Sequence, residues 1–518
     1  MKNVKGIPVG YDSSVQIRMG AMASYLTIFL SIIAGLLYTP WMIRTIGKSD
    51  YGLFILVTSF LTYFVMDFGL GSTIARYISR YRAEEKEVMV KDLLGLTVRI
   101  YLILDIVLFF MIIAFYFVIH RIFTELSAEE LVKFKITYII LGAFSLINLP
   151  SMSLNGILIA YERFILLRLC DLFNRLFTIA LMILAVFAGY RLLGLVVVNV
   201  LVGMSIIIVK LAYLSGKIRI KINLRYKNRA LLKELFGFSA LVTVIGIAQR
   251  LIINITPAIL GIFSGTTQIA VFAIGLTFEG YTWTFASSLN GLFLPRVSQM
   301  SAKQGSREEI TNLMIRVGRL QLIITGLLFV GIITLGREFI ILWMGTDFSS
   351  SYFVALLLIL PETIILTQEI GNTLVFVENS LKYVAILYLA SSVVSAAISV
   401  MLAPRYGAVG SSAGIFTALI LCHVTGMNII YYKVLKVNIF RFFRECHLKL
   451  FLPFSLSLAA GFLIEVCVPA HSLMTFLPKI LLLIPVYIIL MWFLGLTSEE
   501  KLLARTMAGK VIYRLKAA

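Results

Sequence analysis

Eight charged side chains stand inside apolar runs of this sequence, where a charge is costly and is usually kept for binding or chemistry. The clearest case is Arg250, in GIAQRLIINITPAIL at residues 246–260. At mid-depth in a bilayer a guanidinium costs roughly 3 kcal/mol on insertion scales and roughly 10 kcal/mol or more in simulations. The other seven charges lie in similar runs: Asp67, Asp105, Asp171, Arg175, Glu279, Glu362 and Glu369.

Helical spacing decides which of these charges belong to a polar face. Thr243, Gly246, Arg250, Asn254 and Pro257 follow steps of three and four residues, so a helix would place them together. Three other runs contain similar rows, and such rows predict a water-accessible cavity. They are Glu279, Trp283 and Asn290; Ser59, Tyr63, Asp67 and Gly71; and Glu362, Glu369 and Thr373.

The alternative for each charge is a buried ion pair that fixes helix register. Asp171 and Arg175, four residues apart with the acid first, suit that interpretation. Arg250 has no acid three or four residues away. Its partner must therefore come from another helix or from a ligand.

The elements that carry these residues are membrane helices. The 518 residues are 60% hydrophobic and 14% charged, with a mean hydropathy of +0.97, whereas about 25% of residues are charged in soluble chains. Apolar runs of spanning length predict an all-α polytopic membrane protein with about fourteen transmembrane helices. They cover residues 19–43, 52–75, 94–118, 136–160, 164–188, 192–214, 236–260, 269–294, 314–335, 352–376, 381–402, 408–432, 448–468 and 474–496.

Lys and Arg concentrate in alternate loops, above all in KIRIKINLRYKNR at 217–229. This bias predicts a multi-pass protein of the cell membrane with both termini in the cytoplasm. The net charge of +20 is spread over many loops, which fits contact with lipid head groups and excludes nucleic acid as a partner.

The sequence contains no complete motif for enzymatic chemistry. GKS at 47–49 lacks the glycine that a phosphate-binding loop requires, and GSSAG at 410–414 opens a membrane helix where a hydrolase needs a strand and a sharp turn. The four cysteines have no metal-ligand spacing. We therefore expect neither an enzyme nor a metal site.

The sequence indicates an internal repeat of about half the chain. Pro40 and Pro257 lie near the ends of helices, and each is followed by a glycine turn at Gly47 or Gly265. The repeat predicts two pseudo-symmetric lobes of six helices with parallel topology. The predicted boundaries are 1–214 for the first lobe, 215–235 for a basic cytoplasmic linker, 236–432 for the second lobe, and 433–518 for an appended helix pair with a tail.

The segment LYTPWMIRTIGKSDYGLFILVTSFLTYFVMDFGLGSTIARYISRYR, residues 37–82, resembles the N-terminal signature of the Wzx-type polysaccharide flippases. That family belongs to the multidrug/oligosaccharidyl-lipid/polysaccharide (MOP) exporter superfamily, which includes the multidrug and toxin extrusion (MATE) transporters and the lipid II flippase. The matching residues are Pro40, Arg44, Gly47, Tyr51, Gly52, Asp67, Gly69 and Arg76.

The resemblance implies a MATE-like fold and a polyprenyl pyrophosphate-linked oligosaccharide as cargo, flipped by alternating access. A cationic cavity would suit a pyrophosphate. We expect substrate contacts from Arg250, Asn254, Arg44 and Glu279. With no ATP motif, an ion gradient would drive transport, with Asp67, Glu362 and Glu369 as candidates to bind Na⁺ or H⁺.

Beyond the cargo, we expect membrane lipids and other polysaccharide assembly proteins as partners, a monomer, and no cofactor other than the coupling ion. Two other transporters of the same fold remain open: a cation-coupled multidrug exporter and a lipid II flippase. A membrane glycosyltransferase or polymerase is a further alternative, which the short predicted outer loops disfavour.

Overall fold

The computed structural model describes residues 13–64, 70–218, 222–226, 228–287, 293–302, 307–378, 380–502 and 505–506. Within these ranges every regular element is a helix. The first seven are α1 (Ser13–Ile46), α2 (Lys48–Phe64), α3 (Leu70–Ala83), α4 (Glu87–Ile122), α5 (Ala128–Ala160), α6 (Phe164–Phe187) and α7 (Leu192–Tyr213).

After the linker the helices are α8 (Arg229–Phe263), α9 (Thr266–Ser287), α10 (Leu294–Ala302), α11 (Arg307–Met344), α12 (Ser351–Ile365), α13 (Glu369–Val377), α14 (Leu381–Ala418), α15 (Thr425–Ile429), α16 (Ile439–Phe442), α17 (Lys449–Cys467) and α18 (Leu473–Leu490). Short π-helical or 3₁₀ turns join several of them; one 3₁₀ turn, Leu366–Gln368, separates α12 from α13.

Eleven stretches of the described residues are long and apolar enough to cross a membrane. One of them, Leu381–Val434, holds two of the predicted spans and bends at Gly407. Two predicted spans fall outside these stretches. The span at 136–160 lies in α5, and residues 65–69 of the span at 52–75 are outside the described part of the chain. The prediction of an all-helical, multi-pass membrane protein is confirmed.

The described residues form two compact units. One takes the residues up to Ala273 together with Tyr388–Ile415, and the other takes Ile274–Leu387 together with the residues from Phe416 onward. The lobe boundaries expected from the sequence repeat stay a prediction.

Glycine turns end α1 and α8 in the same way. Gly47 has a φ of 94° and Gly265 a φ of 79°, the left-handed region that glycine enters without steric cost. Pro40 and Pro257 each lie inside their helix, six residues before its last residue. The similarity of the two turns supports the predicted repeat at the level of local structure.

These two turns meet in the first unit at a site that we call the corner contact, made of Ser49, Glu130 and Thr266. The hydroxyls of Ser49 and Thr266 donate to Oε1 of Glu130 at 2.5 and 2.8 Å, and lie 3.2 Å from each other. Glu130 belongs to a capping box with Ser127 at the start of α5. The helices approach closely because Gly52 has no side chain; a Cβ there would lie 2.0 Å from the Thr266 carbonyl oxygen.

Buried ion pairs to α11 stabilise the second unit. The Arg319 guanidinium, 4% exposed, donates to Glu500 at 2.8 and 3.0 Å, and to the carbonyls of Glu445 and Gly495. Lys479 on α18 pairs with Glu338 on α11. The two contacts bind the last helix and the segment after it to this unit.

Candidate transport site

Arg250 lies in the middle of α8, half-buried. Its Nη1 donates to the carbonyl oxygen of Thr62 on α2 at 2.6 Å. This partner belongs to another helix, as the lack of a nearby acid on α8 required. This bond to a backbone carbonyl helps to position the guanidinium.

Asn254 follows one turn later and is also half-buried. Since α8 is unbroken from Arg229 to Phe263, the four-residue spacing places the amide on the same face as Arg250. A guanidinium and an amide on one helix face offer several hydrogen-bond donors to an oxyanion or a sugar. Contact of these two residues with a substrate stays a prediction.

Arg44 occupies a different setting from Arg250. It is exposed in the last turn of α1, next to the Gly47 turn. A cation there interacts favourably with the carbonyl end of the helix. Its position supports a role at a helix end, and its contact with a substrate stays a prediction.

Glu279 on α9 and Glu362 on α12 contact each other in the second unit. Their carboxyl groups are close enough to interact directly. Two carboxylates in contact repel each other, so the pair is more stable when one member carries a proton. Glu362 is 5% exposed, and its Oε2 has no partner among the described residues. The sequence assigned these two acids to different roles, whereas the structure brings them together.

Glu369 begins α13, where it is half-buried and hydrogen-bonded to the Asn372 side chain. The Asn372 carbonyl oxygen accepts from the Tyr431 hydroxyl at 2.9 Å, so its NH₂ group is available for Glu369. Beside them Gln368 donates to Asn428 at 2.8 Å. Neutral polar residues inside apolar runs, which carry no charge to mark them in the sequence, complete this network.

One expectation about this region was wrong. Glu362, Glu369 and Thr373 were expected on one face of a continuous helix, but the 3₁₀ turn at Leu366–Gln368 interrupts it. At this turn the Thr367 hydroxyl donates to the Ile364 carbonyl at 2.7 Å, and the backbone of Gln368 leaves the helical region, with a φ of −101° and a ψ of 19°. The regular spacing of an α-helix therefore does not carry across the turn.

The other charged and polar residues singled out in the sequence have different outcomes. Asp67 and Asn290 lie outside the described residues. Asp171 pairs with Arg168 at 3.3 Å, three residues before it, and not with Arg175 as its spacing suggested. Both members of that pair are about half exposed, so the pair is a weak surface contact.

The sequence matches the model of a family described as polysaccharide biosynthesis protein over residues 18–301 of 518. No curated protein sequence matches this chain.

Among solved structures, the chain resembles the lipid II flippase MurJ in an inward closed conformation, with a TM-score of 0.65 at 17% identity, covering 90% of this chain and 98% of that one. It also resembles a multidrug resistance MATE family transporter in an inward-facing conformation, with a TM-score of 0.62 at 14% identity, covering 82% and 100%. A MOP superfamily transporter from Pyrococcus furiosus Vc1 has a TM-score of 0.56 at 14% identity, covering 82% and 97%.

At these identities the solved structures establish the fold alone, which is the one that the MurJ flippase and the MATE transporter share. The sequence match covers more than half of the chain and establishes the family. This multi-pass membrane protein therefore belongs to the polysaccharide biosynthesis protein family.

Proposed function

We propose that this protein is a flippase that moves a polyprenyl pyrophosphate-linked oligosaccharide from the cytoplasmic to the outer leaflet of the cell membrane. The observation that carries the proposal is the half-buried pair of Arg250 and Asn254 on one face of α8, in a protein of this family. A guanidinium matches the geometry of phosphate oxygens and stays charged at every physiological pH. Such a group can hold a pyrophosphate during passage while the lipid tail stays in the bilayer.

Transport would proceed by alternating access, with both termini in the cytoplasm. The corner contact supports this mechanism, because it joins two equivalent turns of the repeat through a few hydroxyl–carboxylate bonds. Each such bond contributes only about 1–3 kcal/mol. A substrate-dependent cycle can therefore break the contact and form it again.

A proton gradient would supply the energy through Glu279 and Glu362. Two carboxyl groups in contact titrate as a pair and give up or take on a proton as a unit. This pairing favours H⁺ over Na⁺ as the coupling ion, because two carboxylates in contact repel each other and binding of one proton relieves that repulsion. Glu369 and Asp67 remain further candidates for this role.

The first test replaces Arg250 in a strain that lacks its own flippase. We expect Arg250→Ala to reduce surface polysaccharide at least tenfold, and Arg250→Lys to restore part of it, because a lysine keeps the charge and loses the forked geometry. The exposed Arg405 on α14 provides the matched control, and Arg405→Ala should leave surface polysaccharide unchanged. Membrane levels of all variants must be equal.

Full restoration by Arg250→Ala would remove the assigned role of this residue. The same strain separates the alternative functions. Drug resistance without a glycan phenotype would indicate a multidrug exporter, and rescue of a lipid II flippase defect would indicate that cargo. Incorporation of radiolabelled sugar by the purified protein would indicate a glycosyltransferase.

The second test concerns coupling, in liposomes that contain the purified protein and a pH-sensitive dye. With a short-chain polyprenyl pyrophosphate disaccharide as substrate, we expect the wild-type protein to move protons during transport. Glu362→Gln should abolish that signal, whereas Glu465→Gln, at an exposed position on α17, should not. Wild-type proton movement in the double variant Glu279→Gln, Glu362→Gln would disprove this coupling site.

A further inference from the structure

A polar cavity lies within the first unit, lined by residues other than Arg250. Its volume is about 360 Å³, and residues of α2, α5, α6 and α7 line it. The helix packing explains it: α6 packs mainly against α1 and α7 and meets α5 at few points, which leaves space between α5 and α6. Its volume is at the lower end of the range of about 300–1,000 Å³ that small-molecule sites occupy.

Four asparagines line this cavity: Asn148 and Asn155 on α5, Asn174 on α6 and Asn199 on α7. Asn148 and Asn155 are seven residues apart and share one face of α5. Asparagine is a poor residue for a helix interior, and an amide facing hydrocarbon leaves strong hydrogen-bonding groups unused. Four of them converging on one space therefore indicate a ligand or water with many polar groups.

Much of their hydrogen-bonding capacity remains open within the described residues. Asn199 donates to the Leu195 carbonyl at 2.8 Å, which leaves its own carbonyl oxygen as an acceptor. The oxygens of Asn174 and Asn148 receive only long contacts, from Thr178 at 3.5 Å and from Ser151 at 3.4 Å. An occupant that both donates and accepts, as a sugar hydroxyl does, would use these groups.

Charge narrows the class of ligand. Lys210 is the charged residue in the lining; its Nζ donates to the Asn155 oxygen at 2.8 Å. No carboxylate lines the described cavity. A metal cation bound by amide oxygens would lie beside a positive charge without an anionic ligand, which is unfavourable. A neutral or acidic ligand suits the cavity better.

Phe144 and Gly203 add an apolar wall. A Cβ on Gly203 would lie 2.4 Å from Cζ of Phe144, so the glycine lets the ring lie directly against the backbone of α7. The C–H face of a pyranose ring packs well on the electron-rich face of an aromatic ring. The amides and the cation suit the hydroxyl groups of a sugar, and the aromatic wall suits its C–H face.

We infer that this cavity binds one or two sugar rings of the glycan that the protein carries, at a subsite separate from the Arg250 face. That the sugar belongs to the transported glycan rests on the proposed function. That the cavity binds a sugar rests on the residues that line it. It assigns specificity for the glycan to Asn174 and Asn199, and contact with an acidic sugar to Lys210.

The test uses the full-length protein in detergent and saturation-transfer NMR with free glucose, galactose, rhamnose, N-acetylglucosamine and glucuronic acid. We expect at least one of these sugars to bind. The double variant Asn174→Leu, Asn199→Leu, which keeps side-chain volume and removes the amides, should weaken its signal at least tenfold. Asn174→Leu alone, at an exposed position, should weaken it at least threefold and serves if the double variant does not fold.

Two controls separate this inference from the proposed function. Ser205→Ala on α7, outside the cavity, and Arg250→Ala should both retain sugar binding, although the second should lose surface polysaccharide. Unchanged sugar signals in both asparagine variants, or no binding of any of the five sugars to the wild-type protein, would overturn the inference. A rise in thermal stability with NaCl that the asparagine variants lose would also overturn it, in favour of a cation site.

Discussion

Lys479 illustrates how single residues make charge tolerable within these helices. Its side chain is 1% exposed, and it contacts the Glu338 carboxylate and the Glu465 carbonyl. Arg319 is similarly enclosed by Glu500 and two carbonyls. Neither residue stands out in the sequence, because each lies within five residues of the start of a predicted span, where long cations usually reach water. Their partners come from distant parts of the chain.

Breaking the Lys479 pair should destabilise the second unit. Lys479→Met leaves the Glu338 carboxylate without its cation, and removal of one partner from a buried pair costs about 3–5 kcal/mol. Since Glu338 is 22% exposed, we expect the lower end of that range. The thermal midpoint of the purified protein should fall.

The variant Lys479→Met, Glu338→Gln removes both charges and provides the control. Replacing a buried pair by neutral residues is often close to neutral, so the double variant should recover most of the lost midpoint. Equal midpoints for the wild-type protein and Lys479→Met would show that the pair contributes nothing to stability.

At the scale of the helices, the ends and breaks decide which side chains meet. The turns at Gly47 and Gly265 could be read from the sequence, because glycine followed by a new apolar run is a strong local signal. The break between α12 and α13 could not, since no glycine or proline lies within Leu366–Gln368 to mark it. The pairing of Glu279 with Glu362 also depends on packing between distant helices, which spacing along one helix does not encode.

The corner contact should weaken in acid. Burial raises the pKa of Glu130, but hydrogen bonds from Ser49, Ser127 and Thr266 outweigh that effect and hold the pKa below its usual range. A lowered pKa in the folded state gives stability that is complete above about pH 4.3, the ordinary value for glutamate, and is lost as the pH falls through the folded value.

Glu130→Gln should therefore lower the thermal midpoint at pH 7 by an amount equivalent to about 1 kcal/mol, a value reduced for partial exposure. The difference from the wild-type protein should shrink as the pH falls below about 4.3. Glu129→Gln is the matched control, because the neighbouring Glu129 is 79% exposed and pairs with Lys133. A difference that stays constant from pH 7 to the acid range would exclude a charged Glu130 as its source.

For the whole molecule, composition and repeat predicted the class of the fold, and the resemblance around Pro40 and Gly47 predicted the family. A long apolar run marks a segment that can be buried in lipid. This explains why the predicted spans correspond to helices in the structure. The residues of the candidate site were harder to predict from the sequence. Arg250 stood out because its charge is rare in such runs, whereas the asparagines of the first unit are neutral and emerge only when α5, α6 and α7 converge.

If transport requires the two halves of the repeat to separate at their glycine turns, a covalent link across the corner contact should stop it. Ser49→Cys with Thr266→Cys places two thiols where the hydroxyls lie 3.2 Å apart, after the native Cys170, Cys422, Cys446 and Cys467 are replaced by serine. We expect oxidation to abolish transport in liposomes and a reductant to restore it. Ser472→Cys with Thr475→Cys, whose hydroxyls lie 3.1 Å apart within one helix cap, links only neighbouring residues and should leave transport unchanged. Undiminished transport by the oxidised Ser49–Thr266 variant would mean that this end of the protein stays closed throughout the cycle, and alternating access would then have to open it elsewhere.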